Sequence, residues 1–584
     1  MLDGCTPWPK EYAERYRAEG YWRGESLVDL LESSAGRHGG KTALVQGDRR
    51  LSYEELDGRS RRMAAGFRAQ GIGAADRVVV QLPNVAEFVV VCFALFRLGA
   101  HPVFALPAHR ASEIRHLCEL SGAVGYVFPG VHRGFDHPAL ARRIRDEVGT
   151  LRKLFTLADT AGSTDTAEAT EAVDTAGTTE ADGIVPLSAV EATVDPADAG
   201  PSSPSPAPDP ADVAFFLLSG GTTALPKLIP RTHDDYVYMA RAAVEAIGLT
   251  EDDTYLAVLP VEFNFTWGCP GVIGTLLAGG TVVLAEDPTP ERCFPVIERE
   301  GVTVTAVGPS VVQLWLEAAE WLEQDLSSLR TLQVGGSTFH PELAARVGPE
   351  LGCRVQQVFG MAEGLITFTR DGDPDEAVLT TQGRPISPAD EIRIVDTRDQ
   401  DVEAGTVGEL LTRGPYTLRG YYRAPEHNTR AFTEDGFYHS GDLARLTPDG
   451  NLVIEGRIKD MINRGGDKVS AGEVEGHLLA HPAIARAAVV PVPDEYLGER
   501  ICAFVVPVGE PPALRELKAA LTERGLAGYK LPDRLEIVAE LPLTGLGKTD
   551  KKILAAIARG EPAPAAADFV PSPPGRPDTD RPAG

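Results

Sequence analysis

Positive charge is scarce in this 584-residue sequence. Lys and Arg number 56 against 84 Asp and Glu, which gives a formal net charge of −28. A surface this negative repels phosphate backbones and anionic lipid headgroups. We therefore expect no nucleic acid and no membrane among the principal partners.

Cysteine is also sparse, and long apolar runs are missing. The seven cysteines form no CxxC pair and lie in apolar stretches, which is typical of reduced thiols rather than of a disulfide framework or a zinc site. The longest apolar run, residues 88–96, is far shorter than the roughly 20 residues needed to cross a bilayer. The N-terminus has no signal-peptide pattern, so the sequence predicts a cytoplasmic protein.

One long segment contains no Lys or Arg at all. It lies between Lys153 and Lys227, and within it residues 159–212 hold twelve acidic residues among Thr, Ala, Ser and Pro. Such a composition cannot bury enough apolar surface to offset the entropy lost on ordering. We predict a flexible acidic insertion at about 158–212, in which only residues 184–194 are able to order, and a disordered tail over 560–584.

Elsewhere β-rich runs alternate with helical periodicity. Ser52 and Glu55 form a capping box at the start of a helix, and an apolar helix is predicted from Asn84 to Leu98. Further along, helical stretches separate the runs TVTAVG, TLQVGG and RVQQVFG. This order predicts an α/β protein with largely parallel sheets covered by helices, in which ligands bind at the carboxyl ends of the strands.

After Gly456 the pattern changes to that of a compact α+β unit of about 100 residues. Ser470 and Glu473 form a second capping box, and the helix that they start is followed by two strands, another helix and a last strand. We therefore predict a large N-terminal domain over residues 1–458 and a small C-terminal domain over 459–559.

The most informative motif is a loop rich in glycine and threonine that follows a strand-like run. Residues 219–227 read SGGTTALPK. Small residues let backbone N–H groups close around phosphate oxygens, and Lys227 adds a positive charge. The loop is not a Walker motif, because GxxxxGK[ST] is absent. Taken by itself, it also fits a flexible surface turn.

Four further motifs follow this loop along the chain: FGMAEG at 359–364, YHSGD at 438–442, GRIKDMINRGGDK at 456–468 and PLTGLGK at 542–548. Together with the loop they resemble the adenylate-forming superfamily, which joins acyl-CoA ligases, peptide-synthetase adenylation domains and luciferases. The sequence is most similar to the stand-alone aryl-acid AMP ligases, which activate 2,3-dihydroxybenzoate or salicylate for siderophore-type nonribosomal peptide assembly. This resemblance implies a β-barrel-like subdomain in the large domain and a mobile small domain.

The resemblance also implies a reaction with ATP and Mg²⁺. An aryl carboxylate attacks the α-phosphorus of ATP, pyrophosphate leaves, and the acyl group passes to the phosphopantetheine thiol of an aryl carrier protein. Transfer to free coenzyme A is the nearest alternative. A catalytically silent scaffold protein with the same fold is an alternative hypothesis of a different functional class.

By the same resemblance, Lys548, Glu363 and Thr223 are catalytic: Glu363 and Thr223 hold Mg²⁺, and Lys548 bridges the substrate carboxylate and the α-phosphate. Asp442 accepts from both ribose hydroxyls, and Arg457 adds a donor. Taken singly, Asp442, Glu363 and Lys548 also fit a turn residue, a helix N-terminal acid and a solvated loop lysine. The ATP-binding set is completed by Ser219, Gly220, Gly221, Thr222, Lys227, Gly335, Gly336, Val358, Phe359, Gly360, Met361 and Ala362.

The implied aryl-acid site includes Asn264 beside an ortho hydroxyl and Phe265 beside the ring. Because a thiol is a poorer hydrogen-bond partner than a hydroxyl, Cys269 favours a ring without a 3-hydroxyl, and hence salicylate. Substituted salicylates, 2,3-dihydroxybenzoate and heteroaryl acids stay open. Phe263 stands where most relatives have His, and it either gates the pantetheine tunnel or accommodates a ring substituent. The substrate set is completed by Gly335, Ser337 and Ile366.

The resemblance assigns two more residues to the second half-reaction. Lys459 matches the hinge at which one backbone torsion absorbs the rotation of the small domain. Gly466 would line the tunnel for the pantetheine arm in the rotated state.

Overall fold

The computed structural model describes residues 1–157, 183–193, 208–219, 225–465, 467–543 and 548–561. The chain divides into two units, Met1–Ile458 and Lys459–Gly584, which we call the large unit and the small unit.

The large unit contains two mixed sheets. The strands of the first sheet, in spatial order, are β18 (Arg384–Pro385), β17 (Gly364–Phe368), β16 (Arg354–Met361), β15 (Thr331–Gly335), β14 (Val304–Val307), β12 (Thr254–Ala257), β13 (Thr281–Leu284), β1 (Thr42–Gln46) and β2 (Arg49–Ser52). Those of the second are β11 (Leu228–Thr232), β10 (Val213–Leu218), β4 (His101–Phe104), β3 (Arg77–Val80), β5 (Gly125–Pro129), β8 (Lys153–Leu157) and β9 (Ile184–Pro186).

Both sheets are parallel in their interiors. Strands β1, β13, β12, β14, β15 and β16 run parallel in the first sheet, as do β10, β4, β3, β5, β8 and β9 in the second. Antiparallel pairs occur only toward the edges of the described sheets, at β16–β17–β18, β1–β2 and β10–β11. The predicted α/β architecture is confirmed.

Helices cover these sheets. In the large unit they are α1 (Lys10–Ala18), α2 (Leu27–His38), α3 (Tyr53–Ala69), α4 (Ala86–Leu98), α5 (Ala111–Ser121), α6 (His137–Glu147), α7 (Leu187–Ala192), α8 (His233–Ile247), α9 (Asn264–Gly268), α10 (Gly271–Ala278), α11 (Pro290–Glu300), α12 (Pro309–Ala319), α13 (Pro341–Leu351), α14 (Asp375–Thr380) and α15 (Pro425–Ala431). Every residue of α4 is buried, as expected of a helix that is apolar on all sides.

The predicted capping box of α3 is confirmed. The Ser52 hydroxyl accepts a hydrogen bond from the Glu55 N–H, and the Glu55 carboxylate accepts one from the Ser52 N–H. The predicted start of α4 is wrong, because the helix begins at Ala86 rather than at Asn84. The Asn84 side chain instead donates to the carbonyls of Ala257, Leu259 and Ala285, at and just beyond the ends of β12 and β13.

Part of the acidic insertion is folded onto the large unit. Residues 184–192 form β9, which pairs with β8, and α7, whose Glu191 accepts from Arg59 and Arg62 of α3. A methyl group on Gly66 of α3 would lie 1.9 Å from the Val190 carbonyl oxygen, so α3 and α7 approach as closely as glycine allows. Residues 158–182, 194–207 and 562–584, which include most of the predicted flexible segments, lie outside the described residues.

Two smaller strand groups complete the large unit. One is a hairpin of β6 (Val131–His132) and β7 (Phe135–Asp136). The other lies where a barrel-like subdomain was expected and is an antiparallel sheet of β19 (Glu391–Val395), β20 (Gly408–Arg413), β21 (Tyr438–Leu446) and β22 (Leu452–Arg457).

The small unit is α+β, as predicted. Its sheet has the strand order β24 (Asp467–Ser470), β23 (Met461–Arg464), β26 (Gly498–Pro507) and β25 (Ile484–Asp494), with β27 (Arg534–Ile537) parallel to β26. Its helices are α16 (Ala471–Leu479), α17 (Leu514–Glu523) and α18 (Lys551–Ala558). The Ser470 hydroxyl caps α16 by accepting from the Glu473 N–H. The Glu473 carboxylate, expected to return a bond to Ser470, accepts instead from Lys530 Nζ at 2.6 and 2.7 Å.

No helix within the described ranges is both long and apolar enough to span a bilayer.

Candidate active site

The carboxyl ends of β15 and β16 meet at one edge of the first sheet. The two strands are parallel neighbours, with Gly335 in register with Val358. Gly336 and Ser337 follow β15 and are exposed. Phe359, Gly360 and Met361 complete β16, and Ala362 and Glu363 form the turn into β17. The expected grouping of these two motifs at a strand-end edge is therefore present.

Glu363 is buried in this turn and hydrogen-bonded through both its side chain and its backbone. Its Oε1 atom accepts from the Tyr421 hydroxyl at 2.8 Å, and its carbonyl oxygen accepts from the Leu418 N–H at 2.7 Å. The Tyr421 hydroxyl also lies 2.9 Å from that of Tyr438. Burial raises the pKa of the Glu363 carboxyl, and the hydrogen bond from Tyr421 acts in the opposite direction.

Asp442 and Arg457 face each other across the pair β21–β22. They occupy opposite positions in the antiparallel register, and Arg457 Nε donates to Asp442 Oδ1 at 2.8 Å. Asp442 is only 2% exposed, whereas the side chain of Arg457 is 43% exposed. Tyr438 lies on the same strand as Asp442, so the Glu363–Tyr421–Tyr438 contacts lead to the strand that carries this ion pair.

The glycine- and threonine-rich loop joins β10 to β11, and hydrogen bonds close its two ends. The Ser219 N–H donates to the Lys227 carbonyl at 2.9 Å, and the Lys227 N–H donates to the Ser219 hydroxyl at 3.0 Å. The Lys227 ammonium lies 5.3 Å from the centroid of the Tyr421 ring. Four candidate phosphate-binding residues, Gly220, Gly221, Thr222 and Thr223, lie outside the described residues.

Asn264 begins α9, and its side-chain amide is fixed from both ends. Its Oδ1 atom accepts from the Tyr236 hydroxyl at 2.9 Å, and its Nδ2 atom donates to the Met361 carbonyl at 3.4 Å. The same Nδ2 atom also lies 3.9 Å from Met239 Sδ, so the amide has partners at both its oxygen and its nitrogen, and Oδ1 keeps one further lone pair.

Two of the other predicted acid-site residues, Phe265 and Ile366, lie close to the same strand ends. The Phe265 ring packs against Gly335, where an added methyl group would lie 3.3 Å from a ring carbon. Ile366 is the register partner of Gly360. Cys269 is buried, which raises the pKa of its thiol and keeps it in the neutral form. Phe263 is half-buried immediately before α9.

Arg231, for which the motifs of the sequence predict no role, is buried completely beside this site. Its Nε atom donates to Asp235 Oδ1 at 2.9 Å, and its Nη1 atom donates to the Ala362 carbonyl at 3.0 Å. Its guanidinium carbon lies 5.1 Å from the centroid of the Tyr236 ring. Arg231 thus connects the β16–β17 turn to the start of α8. The sequence signal for Arg231 is its position on β11, the strand that directly follows the glycine- and threonine-rich loop.

Glu262 is a second residue without a predicted role. Its side chain is buried immediately before Phe263, and no hydrogen bond from another described residue reaches either carboxylate oxygen. Burial raises the pKa of this carboxyl well above its usual value, which favours the neutral acid.

The small unit carries the remaining predicted residues. Lys548 is exposed and precedes Thr549, which forms a β-bridge with Leu543. Lys459 is exposed within a 3₁₀ turn, Ile458–Asp460, and it is the first residue of the small unit. Gly466 lies outside the described residues.

Comparison with known proteins identifies close relatives along most of the chain. The AMP-binding enzyme family profile matches residues 31–422, and the AMP-binding enzyme C-terminal domain profile matches residues 473–548. The 2,3-dihydroxybenzoate-AMP ligase of Bacillus subtilis strain 168 is 52% identical over 556 residues, which cover 95% of this chain and 97% of that protein.

Two further relatives are similar over comparable lengths. The salicyl-AMP ligase / salicyl-S-ArCP synthetase of Mycobacterium tuberculosis strain H37Rv is 47% identical over 558 residues, 95% of this chain and 94% of that protein. The apo structure of MbtA from Mycobacterium smegmatis is 45% identical and has a TM-score of 0.71, with 94% of this chain and 98% of that chain covered.

Replacing Arg231 by methionine should lower the free energy of unfolding by about 3–5 kcal/mol, because the buried Asp235 carboxylate loses the cation that faces it. The matched control is Arg346→Met, which removes an exposed pair with Glu350 and should cost about 1 kcal/mol or less. Urea unfolding of both variants, followed by circular dichroism, measures the difference. Similar losses in the two variants would contradict the role assigned to Arg231.

Proposed function

The chain belongs to the AMP-binding enzyme family, and we propose on that basis that it activates an aryl carboxylic acid with ATP and transfers the acyl group to a thiol. One observation carries the proposal: Asn264 donates to the carbonyl of Met361, two residues before Glu363, and the Phe265 ring packs against Gly335, so acid-site and nucleotide candidates lie together at the ends of β15 and β16. That arrangement brings an acid and a nucleotide together within one site.

In the first half-reaction, a carboxylate oxygen of the acid attacks the α-phosphorus of ATP. The bond from that phosphorus to the bridging oxygen of the β-phosphate breaks, and pyrophosphate leaves with the electron pair. Both partners are anionic, so positive charge has to offset their repulsion. We assign this task to Lys227 at the phosphate loop and to Lys548 of the small unit.

The Asp442 carboxylate has the chemistry needed to bind the ribose hydroxyls of ATP. Two vicinal hydroxyls need an ionised carboxylate that accepts hydrogen bonds, and the ion pair with Arg457 favours that ionised form. We assign Asp442 to the ribose hydroxyls, and Arg457 to the ribose or a phosphate.

Glu363 suits a magnesium ion bound together with nucleotide. Mg²⁺ in such sites is held by one or two carboxylates together with substrate phosphates. No described group of three or more His, Cys, Asp or Glu side chains is arranged to hold a metal by itself. The ion would supply positive charge at the phosphates, with Thr223 as its second protein ligand.

The favoured acid is salicylate. Asn264, held in place by Tyr236 and Met361, is the amide that we assign to the hydroxyl ortho to the carboxylate, to which it can donate or from which it can accept. The neutral Cys269 thiol offers weak hydrogen bonding to a 3-hydroxyl, and Ile366 offers none. Substituted salicylates, 2,3-dihydroxybenzoate and heteroaryl acids are the alternatives, since Phe263 stands where the family resemblance leads us to expect His.

For the second half-reaction we propose the phosphopantetheine thiol of an aryl carrier protein as acceptor, as the name salicyl-S-ArCP synthetase implies for one relative. The thiol sulfur attacks the acyl carbon of the adenylate, a thioester forms, and AMP leaves. Lys459 would be the hinge between the two half-reactions, and Gly466 would line the tunnel for the thiol.

ATP–pyrophosphate exchange across a panel of aryl acids tests the proposed substrate. We expect kcat/KM to be higher for salicylate than for 2,3-dihydroxybenzoate. Cys269→Ser should shift that ratio about fivefold toward 2,3-dihydroxybenzoate, since a hydroxyl hydrogen-bonds a 3-hydroxyl better by roughly 1 kcal/mol. Cys293→Ser, at a buried cysteine in a separate cluster, should leave the ratio unchanged.

A clear preference of the wild-type enzyme for 2,3-dihydroxybenzoate would refute the role of Cys269. No pyrophosphate exchange with any acid would refute the proposed reaction.

Lys459→Pro tests the hinge. Proline fixes φ near −65°, so a torsion that has to change between two states is blocked in one of them. We expect aryl-adenylate formation, measured by pyrophosphate release, to stay within about threefold of wild type, and thioester formation on a phosphopantetheinylated carrier protein to fall by about 100-fold. Lys459→Ala removes the same side chain without fixing the torsion and should retain both half-reactions. Equal losses of both half-reactions in Lys459→Pro would argue against a hinge here.

A further inference from the structure

Tyr421 contacts the two charged groups that would lie on either side of the nucleotide phosphates. Its hydroxyl donates to Glu363 Oε1 at 2.8 Å, while the Lys227 ammonium lies 5.3 Å from its ring centroid. The Tyr421 side chain therefore contacts both the Glu363 carboxylate and the Lys227 ammonium. Tyr421 itself is buried, with only 3% of its surface exposed.

The backbone of Tyr421 is itself fixed. The Asn428 side chain accepts from the Tyr421 N–H at 2.8 Å and donates to the Tyr421 carbonyl at 2.9 Å. The neighbouring Tyr422 N–H donates to the Leu228 carbonyl at the start of β11, directly after the phosphate loop. The Tyr421 ring packs edge-on against His427, with centroids 5.0 Å apart. The hydroxyl is consequently held in place by contacts on both sides of the residue.

The position of this hydroxyl determines how the carboxylate can be used. A carboxylate has two oxygens, and a donor fixed on Oε1 orients the group while leaving Oε2 as a ligand. Hydrogen bonds of this kind to metal-binding carboxylates hold the ligand in one orientation and strengthen metal binding. The Tyr438 hydroxyl, 2.9 Å from that of Tyr421, extends the chain of contacts without touching Glu363 directly.

We propose that Tyr421 is a positioning residue that orients Glu363 toward the metal ion and links this carboxylate to the phosphate-loop lysine. The inference rests on the proposed function, in which Glu363 binds Mg²⁺ with nucleotide. Tyr421 does not contact the reacting atoms. Its loss should weaken the gain in nucleotide affinity that Mg²⁺ provides, without weakening the binding of nucleotide alone.

The experiment measures the affinity of the full chain for α,β-methylene-ATP by isothermal titration calorimetry, once with Mg²⁺ and once with EDTA. The ratio of the two dissociation constants is the contribution of the metal. Tyr421→Phe keeps the ring beside Lys227 and removes only the hydroxyl, so we expect the ratio to fall about tenfold, as for other residues that orient metal ligands. The dissociation constant in EDTA should stay within about twofold of wild type.

The controls separate this inference from the proposed function. Glu363→Gln should reduce the ratio at least as far as Tyr421→Phe, and Tyr438→Phe should keep it within about threefold of wild type. If Glu363→Gln leaves the ratio unchanged, the proposed metal ligand is wrong. If Glu363→Gln reduces the ratio but Tyr421→Phe does not, the positioning role is overturned while the metal assignment stands.

A second variant tests the proposal in case Tyr421→Phe does not fold. The double variant Tyr421→Phe/Tyr438→Phe removes both hydroxyls and leaves no buried phenol without its partner. Circular dichroism checks its fold, and we expect the same reduced ratio as in Tyr421→Phe. A wild-type ratio in a folded double variant would also overturn the proposal.

Discussion

Hydrogen bonds around Tyr421 hold together three segments that are distant in sequence. Glu363 lies in the turn after β16, Tyr421 lies between β20 and α15, and Leu228 begins β11 just after the phosphate loop. Backbone bonds reinforce the junction, from the Leu418 N–H to the Glu363 carbonyl and from the Tyr422 N–H to the Leu228 carbonyl. Because each group is buried, separation of any one segment would leave polar atoms without partners, at a cost of about 1–3 kcal/mol each.

Because the protein is strongly negative, the binding of anionic substrates requires cations placed locally at the site. The chain carries a formal charge of −28, and its proposed substrates, ATP and an aryl carboxylate, are both anionic. The long-range field therefore opposes binding, and attraction has to come from cations at the site. In the large unit, Lys227 and Arg457 supply positive charge, while the acid-site candidates Asn264, Phe265 and Cys269 are uncharged, which suits an aryl ring.

The sequence was sufficient to place the groups that belong to motifs. The β-α-β-α order put Gly335 and Glu363 at strand ends, because parallel neighbours end at the same edge of a sheet. Asp442 and Arg457 were assigned by resemblance, and their direct pairing follows from the register of β21 and β22. The sequence does not predict the buried side chains that hold these candidate residues in place. Tyr421 meets Glu363 across 58 residues and Arg231 meets Ala362 across 131, and no local periodicity encodes such contacts. The late start of α4 has a similar cause, since Asn84 bonds to strand ends more than 170 residues away.

The most direct test of the account concerns the ammonium that would neutralise the two reacting anions. Lys548→Ala and the neighbouring control Lys552→Ala should be compared in single-turnover formation of salicyl-AMP, with pyrophosphate release as the signal. We expect Lys548→Ala to slow this step by about 100-fold or more, while Lys552→Ala stays near wild type. A wild-type rate of adenylate formation in Lys548→Ala would contradict the role proposed for this ammonium.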